Sequence, residues 1–231
     1  MKTQQITLKL TFFTFLLVSL FSVNAQAQST VKASDIMKAM KNGEDIKYSN
    51  VTVSGTLDFT YMDEKAPDLP RRRSWWKNGG DNTVNELIKS KITFENVVFE
   101  NDVVAYFHDD RSEYTFTADF EEDVVFKNCK FEREAMFKYS EFEREASFAG
   151  STFKDESTFK YAEFSRLANF SNTTFDENAI FKYTEFRDGV NLSSARFERS
   201  FDISDLYVRW DIDSKYTDIN GRKFSKNMLD N

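Results

Sequence analysis

One spacing constrains this chain more than any other feature. Phenylalanines stand at 126, 131, 137, 142, 148, 153, 159, 164, 170, 175, 181 and 186, and the gaps alternate five and six without a fault. Leu192, Phe197, Ile203 and Val208 continue the alternation. The period is therefore eleven residues, which neither the 3.6-residue turn of an α-helix nor the two-residue repeat of a strand produces. Composition sharpens the point: 25 Phe against 3 Trp and 9 Tyr means that one residue type fills one structural position many times.

A second column runs two residues ahead of each centre. It holds small or apolar residues throughout: Val124, Cys129, Ala135, Ser140, Ala146, Ser151, Ser157, Ala162, Ala168, Thr173, Ala179, Thr184, Val190 and Ala195. Residues two apart on an extended chain share a face. Each short strand thus points a small residue and a large one inward, and the chain must then turn a corner within a few residues. Four such sides close a coil of 22 residues, and stacked coils pair like strands of a sheet, about 4.8 Å apart. Weaker traces of the register occur at Ile46/Tyr48, Val51/Val53 and Leu57/Phe59, and at Ile88, Phe94 and Phe99. It vanishes between 60 and 87, which reads as an insertion, and is disturbed around 100–119, which reads as a second, shorter loop near His108.

Runs such as Phe137-Lys-Tyr-Ser-Glu-Phe142 and Ala146-Ser-Phe148-Ala-Gly-Ser-Thr-Phe153 resemble the pentapeptide-repeat family, in its Phe-centred form. The resemblance is strong over 120–208. It implies an all-β fold, a right-handed quadrilateral β-helix, with the sixth residue of alternate steps taken up as a bulge at two of the four corners. Some members imitate duplex DNA and inhibit DNA gyrase. The acidic chain suits that role, but an export signal does not, so no nucleic-acid partner is expected. Some members dimerise end to end, which implies a homodimer route through the C-terminal coil.

The ends read differently from the middle. Met1 to Ala27 has the form of a signal peptide: Lys2 and Lys9, an apolar run from Leu10 to Val23, and Ala25-Gln-Ala27 as a cleavage site. The apolar run is shorter than the ~20 residues a membrane-spanning helix needs. A periplasmic or secreted protein with no stable membrane span after cleavage is expected. Removal of two lysines makes the formal charge of −7 more negative still. Residues 28–45 form a linker and a short capping helix, with Ser34 as N-cap, an Ile36, Met37 and Met40 stripe, and Gly43 as terminator. The solenoid occupies 46–210, and 211–231 is a C-terminal capping tail.

Catalytic and metal signatures are missing from the sequence. A single cysteine, Cys129, and a single histidine, His108, leave no material for a Cys or His metal cage. Asp109 and Asp110 offer oxygen ligands but lack EF-hand spacing. No phosphate loop or nucleophile elbow is present. No catalytic residue, metal or cofactor is assigned. Two candidate partner-binding groups stand out. Arg71, Arg72, Arg73, Trp75 and Trp76 sit in the insertion and combine the residue types commonest at interface anchors. Lys138, Lys160 and Lys182, with Tyr139, Tyr161 and Tyr183, recur at 22 residues and should stack as columns beside Glu141, Glu163 and Glu185. The expected function is a non-catalytic structural or interaction protein of the bacterial envelope or exterior, meeting an unknown protein or glycan. The alternative is an envelope glycan-binding module or glycan-active enzyme.

Overall fold

The computed structural model describes residues 28–69 and 82–229. It is a quadrilateral β-helix of four parallel sheets, which we number I to IV in the order a coil visits them. In one coil these are the strands Val124–Lys127 (I), Lys130–Phe131 (II), Ala135–Met136 (III) and Glu141–Phe142 (IV). Each strand pairs with its counterpart one coil on: Val124 with Ala146, Phe131 with Phe153, Ala135 with Ser157, and Phe142 with Phe164.

Stacking follows from that register. Phe153 lies 4.4 Å from Phe131, 4.8 Å from Phe175, and parallel to both, while rings of opposite walls meet edge-on across the core, as Phe148 of sheet I and Phe159 of sheet III do at 5.2 Å. The repeated Phe side chains from 126 to 197 are buried, as is every member of the small-residue column. Each Phe removes roughly 150–250 Å² from water. Three hydroxyls of that column avoid a burial penalty by reaching back one coil: Ser151 Oγ donates to the Phe126 carbonyl (2.8 Å), Thr173 Oγ1 to Phe148 (3.0 Å) and Thr184 Oγ1 to Phe159 (2.8 Å), whereas Ser140 and Ser157 Oγ are buried without a partner among the described residues.

Coil length varies at the N-terminal end. Ile46 faces Ile92, 46 residues on, and Ile88 faces Phe120, 32 residues on, before the 22-residue coil sets in. The first excess is an insertion that includes the helix Met62–Lys65. Its return is earlier than the sequence suggests, because Thr83–Ile88 already pairs with Tyr114–Phe120 in sheet IV. The second excess is a β-hairpin, not an irregular loop: Tyr106–Asp109 runs antiparallel to Tyr114–Phe120.

Both ends depart from the sequence-based boundaries. Ser29–Lys32 is a strand of sheet II, paired with Val51–Ser54, and runs straight into the helix Ala33–Lys41. Lys32 is therefore the N-cap, without a side-chain bond, and Ser34 lies inside the first turn. The helix buries Ala33, Ile36 and Met40 over the open end of the core, and Gly43, at φ +77, ends it. At the far end the solenoid runs past 210. Ile212–Asp213 pairs with Val190–Asn191 and Asp218–Ile219 with Arg196–Phe197, before Arg222–Lys223 turns back antiparallel. Ser214 at a Phe position hides this last coil from a pattern search. No helix among the described residues is long and apolar enough to cross a membrane.

Candidate functional site

The five-residue steps of the chain are tight turns. From Phe137 onward the N–H of the residue after the corner bonds to the carbonyl of the residue that opens the turn, as from Ala162 to Phe159 (2.8 Å) and from Ser151 to Phe148 (3.1 Å), whereas at Phe126 the Cys129 N–H donates to Ser151 Oγ instead. The residue third in the turn has positive φ, as a type II turn requires. At the corner between sheets I and II these residues are Asn50, Asn96, Asn128, Gly150, Asn172, Ser194 and Tyr216. Apart from Ser194 and Tyr216, they are the types such a conformation favours or tolerates best. At the corner between sheets III and IV they are Tyr61, Tyr139, Tyr161, Tyr183 and Asp205. Tyrosine has no local hydrogen bond to offset the left-handed conformation, which costs roughly 1–2 kcal/mol. The sequence marked Tyr139, Tyr161 and Tyr183 only as a recurring column; their backbone strain becomes visible in the fold.

Three of them form a continuous ladder. Tyr139 and Tyr161 lie 4.9 Å apart at 6°, and Tyr161 and Tyr183 lie 4.7 Å apart at 9°. Parallel rings this close cannot be coplanar, so they overlap and leave edges and hydroxyls facing outward. The three remain 45, 40 and 37% exposed. Lys138, Lys160 and Lys182 each hold Nζ about one ring away, at 4.9, 5.2 and 4.9 Å from the centroid of the following tyrosine. Tyr106 of the hairpin closes the N-terminal end. Its hydroxyl accepts from Lys138 Nζ at 3.2 Å, and its ring lies 5.8 Å from Tyr139. Tyr106 was not among the sequence-based candidates, because the hairpin interrupts the 22-residue register.

The three lysines give the ladder a column of cationic groups. Among the described residues, no carboxylate pairs with any of the three lysines within ion-pair distance. Asp202 stands at the foot of their column. Burial raises its pKa, but the Ser204 hydroxyl and N–H, then Lys182 and Lys160, outweigh this and hold it below the usual value. On the other side of the tyrosines, Glu141, Glu163 and Glu185 stack in register. Glu163 is pushed above the usual range by burial and by its two neighbours, although Arg187 pairs with it and pulls the other way.

The remaining candidates divide cleanly. Arg71, Arg72, Arg73, Trp75 and Trp76 lie outside the described residues. His108 is at the exposed hairpin, its Nδ1 bonded to Thr115 Oγ1 at 2.9 Å. Asp109 is occupied by Ser112 Oγ and the Arg111 N–H. Among the described residues, no cluster of His, Cys, Asp or Glu could hold a metal ion. Cys129 is buried in the small-residue column, and burial pushes its thiol up to about 12.

Comparison with protein-family models finds one described as pentapeptide repeats (9 copies), matching residues 116–163 and 159–205. No curated protein and no solved structure matches the chain.

Proposed function

Residues 116–205 are pentapeptide repeats, and from that premise we propose that this repeat structural or interaction protein is a non-catalytic scaffold of the bacterial envelope or exterior. Its Lys-Tyr ladder is the docking strip for a partner protein. The observation that carries this reading is the left-handed tyrosine column. A residue kept three times in a conformation that disfavours it, stacked and exposed, points to a surface held for contact. The export assignment rests on the Met1–Ala27 sequence.

The geometry favours a protein partner over a glycan. Sugars stack on exposed ring faces, whereas here each face of Tyr161 is covered by a neighbouring ring. Phenol edges and ammonium groups repeating at strand spacing suit carboxylates or backbone carbonyls instead. The C-terminal coil is a second contact surface. Trp210 and Tyr216 are 69 and 76% exposed there. Phe201–Asp202, Tyr207–Val208 and Ile212–Asp213 end sheets III, IV and I without a further neighbour among the described residues. Self-association of this protein is assigned to that end.

A crosslinking pull-down from envelope extract, read by mass spectrometry, tests the reading. The unchanged chain should capture a reproducible protein, and a chain carrying Tyr139→Asn, Tyr161→Asn and Tyr183→Asn should not. Capture that survives this triple change, or that is lost only with Trp75→Ser and Trp76→Ser, moves the site off the ladder. Retention on insoluble polysaccharide that depends on the tyrosines would revive the glycan alternative.

A further inference from the structure

A cavity of about 750 Å³ opens on sheet III beyond the N-terminal end of the ladder. The solenoid supplies part of it, through residues 54–56, Asp58, Asp102 and the outward side chains of Val104 and Met136. The rest comes from segments that a bare solenoid does not need. The capping helix contributes Met37, the insertion contributes Met62, and the hairpin contributes Phe107. Both departures from the 22-residue coil thus converge on one groove. Loops added to a rigid scaffold are where binding functions concentrate.

The walls state what the groove fits. Its floor has three methionines and a phenylalanine, all half-buried, a soft apolar surface that adapts to large side chains. Its rim carries Asp58, Asp63, Glu64 and Asp102, and Lys32 is the one basic residue among the described residues lining it. Two of the four carboxylates are engaged. Asp58 accepts from the N–H groups of Thr60 and Met62, and Glu64 pairs with Lys41. Asp63 and Asp102 have no cationic partner among the described residues. The groove does not end abruptly, because half-buried Thr158 and Ile180 carry the outward column of Met136 along sheet III.

We infer that this groove docks a cationic, apolar segment of a partner polypeptide, with lysine or arginine at the acidic rim and large apolar side chains on the methionine floor. The acid rim repels anionic ligands, and a bare cation would leave the apolar floor unused. Continuity with the sheet III column gives room for a chain rather than a single group. The site is independent of the ladder, whose lysines would select the opposite charge.

Fluorescence anisotropy with the purified chain decides it. The probe is a short fluorescein-labelled peptide alternating lysine with leucine and tryptophan, and its counterpart has glutamate for lysine. The lysine peptide should bind saturably and the glutamate peptide at least ~10-fold more weakly. The double variant Asp63→Lys, Asp102→Lys should erase that preference, and Phe107→Ser should weaken the lysine peptide ~10-fold or more. The rim changes are at the surface, and circular dichroism checks that both variants keep the parent fold. Lys138→Glu, Lys160→Glu and Lys182→Glu should leave the affinity within twofold. Equal binding of the two peptides, or an unchanged preference in the rim variant, overturns the inference. So does binding that appears only once residues 70–81 are replaced by a Gly-Ser linker, since the chain itself would then be the occupant.

Discussion

The corner between sheets I and II and the corner between sheets III and IV run through the same turn, yet they are furnished in opposite ways. Both close on the same backbone hydrogen bond and both hold their third residue at positive φ. The first uses asparagine, glycine and serine over most of its length, and its side chains serve the turn itself. Asn96 Nδ2 donates to Asn50 Oδ1 at 3.2 Å, Asn128 Nδ2 donates to Asn96 Oδ1 at 3.3 Å, and Gly150 leaves space that a Cβ would deny to Asn128. The second uses tyrosine: the rings of Tyr139, Tyr161 and Tyr183 serve the surface, while Tyr61 is buried and its hydroxyl donates to the Met37 carbonyl. The turn geometry alone therefore does not select tyrosine. What the second corner gains is a stack of rings beside a column of unpaired ammonium groups.

The comparison breaks first if the corners differ inside as well as outside. Phe148 opens a turn of the first kind and Phe159 a turn of the second, and both are fully buried. Phe148→Ala and Phe159→Ala should each cost about 3–5 kcal/mol in denaturant unfolding, with similar values. A large inequality would show that one wall of the core carries the fold. The next test exchanges the logic of the corners. Asn128→Val puts a β-branched residue at positive φ and removes a rung of the amide ladder, so a loss of about 1–2 kcal/mol is expected. Tyr161→Asn relieves strain while losing two ring contacts of roughly 0.5–1.5 kcal/mol each, so its net change should stay within about 1 kcal/mol. A much larger loss would make the tyrosines structural and remove the main support for a docking role.

The same contrast shows why some features were legible in the sequence. Phe at alternating five and six, with a small residue two before, can mean little else, and sheets I to IV follow from it. Asn50, Asn96, Asn128 and Asn172 were readable in principle, since asparagine is enriched at positive φ and two of them are two coils apart. Tyr139 gave no such hint, because nothing in its residue type announces a left-handed corner. The hairpin at Tyr106 and the groove it helps to line escaped for a related reason. An antiparallel pair alternates with period two, so it registers only as a fault in an eleven-residue pattern. Ser34 misled because cap preference assumes a loop before the helix, whereas the strand Ser29–Lys32 arrives there directly.

The smallest expected effect lies in the column beside the tyrosines. Sheet IV stacks Glu141, Glu163 and Glu185, whereas next to the Asn corner sheet II stacks Lys130, Thr152, Thr174 and Arg196, with two uncharged residues between the cations. Burial is the first cause that raises the Glu163 pKa, and the glutamates above and below add to it, with Arg187 opposing. A carboxyl raised on folding binds its proton more tightly in the native state. Its stabilising contribution is therefore complete below the unfolded pKa and is lost as pH rises through the folded one. At neutral pH the ionised group is a net liability. Glu163→Gln should accordingly melt slightly higher than the parent at pH 7, and the difference should vanish as the pH falls below the ordinary glutamate range. Thermal melts of the two chains across that range measure it. A lower melting temperature for the variant at pH 7 would mean that the pair with Arg187 outweighs the repulsion, and that the acid column, like the asparagines of the other corner, is there to hold the coils together.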